Sequence, residues 1–418
     1  MCLVCSSTVV RFRTCPQTFH DRRESKTGYF IIKNANSGAI MKFFSLLIVL
    51  AALQVISAGF SDLVKLGFQH TLKQTKKALD SYTTKKSIDE HGIGLLKMAI
   101  SIRGEDAFAD DLMQSEFAAL APDLTFDADA GHISSRQGEI LPLVFLHGMG
   151  DSCYNRGMKN IASESGKYMG VYSVCVPTGE GRVKDTLNGF LMNMDDNVDA
   201  LAAAVLADPE ISTGFNCVGL SQGNNLCRGY IQKYNGAAGY PLASTHISVH
   251  GPVVGVASLP SCEIDGSHGP LCQTVSQLLG KVAYRPGIQS HLFQADYFRQ
   301  VKDVASSDYK ANSQMARWNN EGDDVDSSIN DRFAMTKRFA MIKANADTVI
   351  VPRESEWFGA YDEHYRLLSM NETEWYKNDL FGLKTADLAG KILFNSTDGN
   401  HLEFSSEQLF GWLDLYAL

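Results

Sequence analysis

The feature that most constrains the fold of this chain is the segment Phe215-Asn-Cys-Val-Gly-Leu-Ser-Gln-Gly223. A short apolar run meets Gly-x-Ser-x-Gly here, and the helix-like sequence Asn-Asn-Leu-Cys-Arg-Gly-Tyr-Ile follows at once. A strand that turns directly into a helix forces its corner residue into strained backbone geometry, and glycines two positions before and after let the neighbouring backbone come close. The pattern therefore predicts that the hydroxyl of Ser221 projects from the carboxyl edge of a sheet and acts as a nucleophile.

From Ile140 onward, short apolar runs and glycine turns alternate with helical patterns, which is typical of a largely parallel sheet with helices on its faces. The strand candidates are 141–146, 171–176, 215–219, 246–250, 338–343 and 391–394. The helix candidates are 155–169, 192–207, 222–234 and 405–415. The interval of about 251–331 is much longer than an ordinary crossover and predicts an inserted helical cap. We therefore expect an α/β-hydrolase fold over residues 138–418.

Within the cap, apolar side chains recur at helical spacing. They are Val275, Leu278, Leu279, Val282, Leu292, Phe293, Tyr297, Phe298 and Val301. Such a stripe is interpreted first as packing against the main domain. A groove for a long acyl chain is the functional alternative, and both can hold because cap helices often line a substrate channel.

A serine is a poor nucleophile at neutral pH and needs a base within hydrogen-bond reach, whose tautomer is fixed by an acid. His401 is the best candidate for the base because it lies in a polar loop between the last strand candidate and the last helix candidate. Three other histidines fall in the cap or in long loops and fit less well. They are His268, His291 and His364.

Asp347 is the best candidate for the acid because it lies in the loop after the fifth strand candidate. Glu354 and Glu356 compete in the same region, but the aromatic residues beside them favour packing or loop anchoring. Asp398 is so close to His401 in sequence that it cannot easily reach the far nitrogen of that ring. We therefore predict Ser221, Asp347 and His401 as the catalytic residues.

Acyl transfer also needs backbone donors that hold a negative tetrahedral oxygen. One should be the amide of Gln222, the residue after the nucleophile. The loop after the first strand candidate, Leu146-His-Gly-Met-Gly-Asp-Ser-Cys153, suits the second donor because its glycines permit unusual backbone dihedrals beside a ligand. Met149 is our candidate for that amide, and His147 is interpreted as structural.

Charge and motifs exclude several function classes. The formal net charge of -9 and the isoelectric point near 5.7 argue against a nucleic-acid partner, which usually requires a basic face. No phosphate-binding glycine loop, dinucleotide fingerprint or paired Cys-x-x-Cys stands out. The sequence therefore implies neither a cofactor nor a metal.

An apolar run at 43–53 follows Met41-Lys42 and is too short for a confident membrane span. It predicts a secretory signal peptide at 41–58 and assigns residues 1–40 to an upstream extension that is absent from the mature product. The alternative is a signal anchor with a cytoplasmic tail. We interpret residues 59–137 as an N-terminal extension or propeptide, and we expect a lysosomal or secreted protein.

Secretion permits disulfides among the six cysteines that follow the signal sequence. Cys262 and Cys272 form the best candidate pair because they flank a loop with two glycines and a proline. Cys175, Cys217 and Cys227 lie in apolar strand or helix patterns and are predicted to be small buried hydrophobic residues. Two sequons for N-glycosylation fit a secreted protein, Asn371 and Asn395.

Several separated motifs together resemble the palmitoyl-protein thioesterases. They are Leu141-Pro-Leu-Val-Phe-Leu-His-Gly-Met-Gly-Asp-Ser-Cys153, Gly219-Leu-Ser-Gln-Gly-Asn224, Ser355-Glu-Trp-Phe-Gly359, Gly382-Leu-Lys with Ala389-Gly390, and Gly399-Asn-His-Leu402. The resemblance implies an α/β-hydrolase with a helical insertion that removes long-chain fatty acyl groups from the cysteine thioesters of S-acylated proteins, typically in lysosomes. It places the nucleophile, acid and base on Ser221, Asp347 and His401, and the oxyanion amides on Met149 and Gln222.

The chain departs from the family pattern at a few positions. They are Tyr154, where some members have a second cysteine; Ala202 and Tyr234, near a disulfide of the animal enzymes; Asn400; and the segment 249–256 near the acyl groove of relatives. The disulfide pattern and the acyl-chain preference are therefore open, as is peripheral contact with a membrane. A lipase or carboxylesterase acting on oxygen esters is the alternative function, and a catalytically silent lipid-binding protein is a further one.

Overall fold

The computed structural model describes residues 140–258 and 282–418, together with Leu124, Phe126 and three short strands near the N-terminus. The chain forms two compact units, Met1–Thr84 and Lys85–Leu418. Several predicted features lie outside the described residues. They are the signal peptide at 41–58, most of the extension at 59–137, the pair Cys262 and Cys272, and His268, Val275, Leu278 and Leu279. The predicted domain boundaries therefore remain predictions.

The strands form three sheets. In the first unit, β1 (Cys2–Ser6), β2 (Val9–Arg13) and β3 (Tyr29–Phe30) form a small antiparallel sheet. The second unit contains β4 (Leu143–Leu146), β5 (Ser173–Cys175), β6 (Phe215–Leu220), β7 (Ala243–Val249), β8 (Arg338–Ala344), β9 (Ala360–Tyr361), β10 (Leu367–Leu368) and β11 (Ile392–Thr397). β9 and β10 pair antiparallel, while the other six form one sheet.

The six-stranded sheet has the order β11-β8-β7-β6-β4-β5, and every neighbouring pair is parallel. Each of its strands corresponds to one of the six strand candidates, so the predicted largely parallel sheet is confirmed. In a parallel sheet the carboxyl ends of all strands meet at one edge. The loops after β4, β6, β7, β8 and β11 therefore all open on the same side of the molecule.

Twelve α-helices connect these strands within the described residues. They are α1 (Arg156–Met169), α2 (Gly181–Leu191), α3 (Met194–Ala207), α4 (Gly223–Tyr234), α5 (Pro286–Gln289), α6 (Phe293–Asp296), α7 (Ser307–Asn312), α8 (Gln314–Trp318), α9 (Ser328–Met335), α10 (Glu374–Lys377), α11 (Leu383–Leu388) and α12 (Ser406–Tyr416). All four helix candidates are present. The sequence did not reveal α2, because its buried positions include the polar Asp185, Thr186 and Asn188, which obscure the apolar period.

Apolar side chains cover both faces of the sheet. Along β4, Val144 and Leu146 enter the larger core with α3 and α4, while Leu143 and Phe145 enter the smaller core with α1 and α12. This alternation follows from the two-residue period of a strand. Because both faces of the inner strands are buried, β4 is a continuous apolar run and β6 a largely apolar one, which made these two strands recognisable in the sequence.

The helices α5 to α9 form the predicted insertion between β7 and β8. Five of its described stripe residues are buried in the larger core. They are Val282, Leu292, Phe293, Tyr297 and Phe298. Packing onto the main domain, the first interpretation of the stripe, is thereby confirmed for these five residues, and Val301 is buried as well. Arg228 of α4 anchors the insertion, since its buried guanidinium donates to the Trp318 carbonyl and to Asn319 Oδ1, each at 2.8 Å.

Two disulfides contradict the prediction that Cys175, Cys217 and Cys227 are unpaired. Cys217 bonds to Cys227 and Cys153 bonds to Cys175. The parallel pairing of β4 with β5 brings Cys153 and Cys175 together. The turn from β6 into α4 brings Cys217 and Cys227 together. Burial of Cys217 and Cys227 was foreseen correctly, but apolar flanking residues say nothing about which cysteines meet across a turn.

Tyr234, one of the departures from the family pattern, joins α4 to α3. Its hydroxyl donates to Asp199 Oδ1 at 2.8 Å. On the opposite side of the sheet, Phe126 packs against Phe410 of α12, with the ring centroids 5.7 Å apart. Phe126, which precedes the first strand of the six-stranded sheet, therefore contacts the last helix.

Candidate active site

Ser221 occupies a sharp corner between β6 and α4. Its φ of 51° lies in the left-handed region that non-glycine residues rarely adopt. A Cβ atom at Gly219 would collide with Asn224 of α4, and one at Gly223 would collide with the Leu146 carbonyl at the end of β4. Both glycines thus allow the close approach that the sequence predicted, and the strand and the helix hold the serine in this strained position.

Ser221, His401 and Asp347 meet at the carboxyl edge of the sheet and are all buried. The Nδ1–H of His401 donates to Asp347 Oδ2 at 2.6 Å. Because Asp347 can only accept in its ionised form, this contact fixes the tautomer of the ring. The opposite nitrogen, Nε2, lies 2.8 Å from Ser221 Oγ and accepts from that hydroxyl. The structure therefore brings together the three predicted catalytic residues.

Asp347 is held in its ionised form and in one orientation. Its other oxygen, Oδ1, accepts from the backbone N–H groups of Val349 at 2.6 Å and Ile350 at 2.8 Å. Burial alone would raise the pKa of Asp347, but the hydrogen bond and charge of His401 and the Ile350 amide hold it below its ordinary value. A negative charge therefore persists behind the imidazole.

Asn400, one of the departures from the family pattern, connects the loops of the base and the acid. Its Oδ1 accepts from the backbone N–H of Thr348 at 2.9 Å and of His401 at 2.7 Å, and its Nδ2 donates to Thr348 Oγ1 at 3.0 Å. Because Thr348 follows Asp347 directly, the amide side chain fixes the spacing of the two loops.

The other residues considered for the acid and base roles lie elsewhere, with one exception. Asp398 and His364 are exposed, Glu354 lies beside Lys343, and His291 contacts Ser290 and Gly287 within the cap. Glu356 is the exception, because it is fully buried, its Oε2 accepts from the Ala344 N–H at 2.9 Å, and its carboxyl group and that of Asp347 influence each other's pKa. It contacts the acid of the site and does not replace it.

The pKa of Glu356 is raised well above its ordinary value, first by burial and then by the charge of Asp347. Two neighbouring carboxyl groups in a buried site resist ionising together. Asp347 has the lowered pKa of the two, so the proton resides on Glu356. A neutral Glu356 can donate a hydrogen bond to Asp347, a role that its position next to aromatic residues in the sequence did not reveal.

Met149 lies in the loop that approaches Ser221, and Gln222 follows Ser221 in the chain. Met149 follows Gly148, where a Cβ atom would lie 3.2 Å from the Cβ of Ser221, so the loop after β4 approaches the nucleophile directly. Within residues 140–258 and 282–418, the backbone N–H groups of Met149 and Gln222 donate to no protein acceptor. Two unengaged donors beside a nucleophile are suited to binding an anionic oxygen.

The side chain of Gln222 is fixed from the cap. Its Nε2 donates to the Gly189 carbonyl at 2.9 Å, and its Oε1 accepts from Gln294 Nε2 at 3.0 Å and from the Tyr297 hydroxyl at 3.2 Å. Gln294 also donates to the Gly189 carbonyl at 2.9 Å. The insertion therefore supports the residue that follows the nucleophile.

Asp185 of α2 is a site residue that the sequence did not reveal, because α2 was not recognised. This fully buried carboxylate accepts from Ser152 Oγ, from the Cys153 N–H and from the Thr178 N–H, each at 2.8 Å. It also lies 3.4 Å from Nε2 of His147. One side chain thus holds both ends of the loop that carries Met149.

His147 pairs with Asp185. Burial opposes protonation of its ring, but the charge and hydrogen bond of Asp185, with a smaller effect of Asp151, raise the pKa of His147 to about 9. His147, Asp185 and Cys153 also bring three potential ligand atoms within 4.8 Å of one another. Because the Cys153 sulfur is in a disulfide, it offers no thiolate, and the cluster does not constitute a metal site.

The parallel sheet, the strained serine corner and the hydrogen-bonded Ser-His-Asp arrangement at the strand ends define an α/β-hydrolase. The profile of the family described as palmitoyl protein thioesterase matches residues 142–401. The chain therefore belongs to the palmitoyl protein thioesterase family.

Individual relatives agree with this assignment. The chain is similar to palmitoyl-protein thioesterase 1 of Caenorhabditis elegans, with 33% identity over 63% of this chain and 87% of that protein. It is 25% identical to lysosomal thioesterase PPT2 of Mus musculus, over 62% of this chain and 81% of the relative. Among solved structures, the carboxylesterase CesB of Bacillus subtilis overlaps 70% of this chain and 89% of its own, with 9% identity and a TM-score of 0.28.

Proposed function

We propose that this protein is a serine-dependent thioester hydrolase that removes long-chain fatty acyl groups from the cysteine thioesters of S-acylated proteins or peptides. The observation that carries the proposal is the chain of hydrogen bonds from Ser221 through His401 to Asp347, at 2.8 and 2.6 Å, in a member of this family. In the proposed roles, Ser221 is the nucleophile, His401 the general base and Asp347 the acid that orients it.

In the acylation step, His401 takes the proton of Ser221 as Oγ attacks the thioester carbonyl carbon. The tetrahedral oxyanion binds the backbone N–H groups of Met149 and Gln222, each of which contributes roughly 3 to 4 kcal/mol in related sites. Collapse of the intermediate breaks the carbon–sulfur bond and releases the thiol. Because a thiolate leaves more readily than an alkoxide, proton donation by His401 matters less here than the oxyanion donors do.

In the deacylation step, His401 takes a proton from a water molecule, which attacks the acyl-serine carbonyl. The second tetrahedral intermediate uses the same two amides and collapses to the free fatty acid and the serine hydroxyl. The residues that carry the reaction need no cofactor in either step. The buried charge of Asp347 stabilises the imidazolium that forms twice in each cycle.

We further propose that the protein works in the secretory pathway, in lysosomes or after secretion. Two disulfides fit an oxidising compartment, and one relative is described as a lysosomal thioesterase. No helix within the described residues is long and apolar enough to cross a membrane. The substrates would reach the site as acyl groups withdrawn from a membrane surface or carried on a soluble peptide.

The test compares the wild type with Ser221→Ala and His401→Ala. We expect the wild type to hydrolyse palmitoyl thioesters and to react with a fluorophosphonate probe, because the serine is activated by its base. Ser221→Ala should remove labelling, and either substitution should lower turnover by roughly four orders of magnitude or more while the protein stays folded.

A matched series of acyl thioesters and oxygen esters of several chain lengths distinguishes the proposal from its alternative. Faster hydrolysis of the oxygen esters than of the long-chain thioesters would support a lipase or carboxylesterase. A folded wild type that neither reacts with the probe nor turns over any ester would contradict the enzyme assignment altogether.

A further inference from the structure

His250 is a buried histidine that the proposed reaction does not use. It follows β7 directly, has no exposed surface and adopts a positive φ of 50°. Its backbone N–H donates to the Ile342 carbonyl of β8 at 3.0 Å, so the end of the sheet fixes its position. Its ring centroid lies 6.0 Å from that of His401. A second imidazole is therefore packed behind the proposed base.

The hydrogen bonds of His250 define one tautomer. Nδ1 accepts from the backbone N–H of Leu402 at 2.8 Å, so this nitrogen carries no proton. A neutral ring then carries its proton on Nε2, which lies 3.1 Å from Thr397 Oγ1 and donates to it. Thr397 ends β11, and Leu402 follows the base. The ring therefore spans the two ends of the loop that carries His401.

The loop of the base is consequently restrained on two sides. Asn400 ties it to Thr348 of the acid loop, and His250 ties its far end to the sheet. Leu402 adopts a φ of 55°, in the left-handed region that is unfavourable for a leucine. The hydrogen bond from its N–H to His250 helps to hold this conformation, and with it the direction in which the preceding residue projects.

We propose that His250 is a positioning residue for the base, and that its neutral, Nε2-protonated ring holds the His401 loop at the distance from Ser221 that proton transfer requires. The inference rests on the proposed function. It assigns His250 no contact with the substrate, so its removal should affect the chemical step and leave substrate binding nearly unchanged.

The surroundings of His250 keep the ring neutral. Burial lowers its pKa most, the charge of His401 lowers it further, and Asp347 opposes both, leaving the pKa at about 3. Phe404 packs against the ring edge to face and adds no charge. The acceptor at Nδ1 therefore remains available at the acidic pH of a lysosome, and the ring does not repel the imidazolium that forms on His401.

The experiment compares His250→Ala with His250→Asn in the full chain, using a palmitoyl thioester. The alanine variant loses both contacts, whereas an asparagine Oδ1 takes the place of Nδ1, and asparagine tolerates a positive φ. We expect His250→Ala to lower kcat at least tenfold with KM changed less than about twofold, and His250→Asn to recover much of that loss. His291→Ala, which removes a histidine with contacts only inside the cap, should keep wild-type kcat.

Nitrogen NMR of the histidine rings gives a readout that does not depend on activity. In the wild type, His250 should show the Nε2-protonated neutral form from about pH 5 to pH 7, and its signals should not titrate. A folded His250→Ala enzyme with wild-type kcat would overturn the inference, and so would a His250 ring that titrates in this range. An inactive wild type would instead contradict the proposed function, while the NMR result would still report on His250.

Discussion

At the scale of single residues, the acid of the site belongs to a buried carboxyl pair. Asp347 uses both oxygens, one for the base and one for the amides of its own loop. Glu356, which accepts from the N–H of Ala344 at the end of β8, keeps a proton because burial and the charge of Asp347 raise its pKa. A protonated Glu356 can donate a hydrogen bond to the ionised Asp347 without adding a second negative charge.

This arrangement predicts how Glu356→Gln changes stability with pH. The pKa of Glu356 is higher in the folded protein than in the unfolded chain, where it is about 4.5. The contribution of neutral Glu356 to the free energy of unfolding is therefore fully present below pH 4.5. It is lost as pH rises through the folded-state pKa. Each pKa unit of elevation corresponds to about 1.4 kcal/mol. Glutamine stays neutral, so the variant should gain stability relative to the wild type as pH rises from 5 to 8.

Urea unfolding at several pH values measures this difference. The Glu356→Gln protein should also remain active, because the amide can donate to Asp347 while its oxygen accepts from Ala344. Parallel stability profiles for the two proteins over this range would show that Glu356 is already ionised in the fold, contrary to the interpretation that it keeps a proton.

At the scale of elements, α2 supports the loop after β4. Three backbone or hydroxyl donors of neighbouring loops converge on Asp185, and His147 supplies a positive charge beside them. The strand that precedes α2 in the chain, β5, is at the opposite end of the sheet order from β11. The two parts of the reaction centre, the oxyanion donors and the base, are thus held by separate groups of contacts.

Asp185→Asn should weaken the oxyanion donors without disturbing the base. The neutral side chain keeps only one acceptor oxygen and leaves His147 without its counter-charge, so the loop that carries Met149 is held less firmly. We expect kcat/KM for a palmitoyl thioester to fall roughly 10- to 100-fold. Steady-state kinetics measures the effect, and Asp199→Asn, at an exposed acid of α3, serves as the matched control. Equal activity of both variants would exclude this role for Asp185.

At the scale of the whole molecule, the sequence predicted what depends on local pattern. The six strands were predicted from short segments rich in apolar residues, and Ser221, Asp347 and His401 each follow one of them. Because parallel strands end at one edge, such residues could be expected to meet. Asp185, the two disulfides and His250 were not foreseen as contacts, since each depends on neighbours that are distant in sequence and carry no local signature.

Solvent exposure distinguishes the two predicted glycosylation sites. Asn371 is exposed in a short 3-10 helix, whereas Asn395 lies half-buried in β11, where its Nδ2 donates to the Tyr416 hydroxyl at 3.0 Å. A glycan needs that nitrogen and open space, so we expect modification at Asn371 alone. Asn371→Gln should remove the mobility shift caused by endoglycosidase treatment, and Asn395→Gln should leave it. A shift that persists in Asn371→Gln would contradict this expectation.

The two disulfides join residues only 22 and 10 positions apart, and all four cysteines precede the insertion and β8. Because the chain is synthesised from its N-terminus, all four cysteines leave the ribosome before the insertion and β8 do. Both crosslinks can therefore close while the segment with the general base is still untranslated. In an oxidising compartment, the growing chain would then hold Ser221 between two closed disulfides but without its proposed base. Ser221 would become able to attack an acyl group only when synthesis is nearly finished.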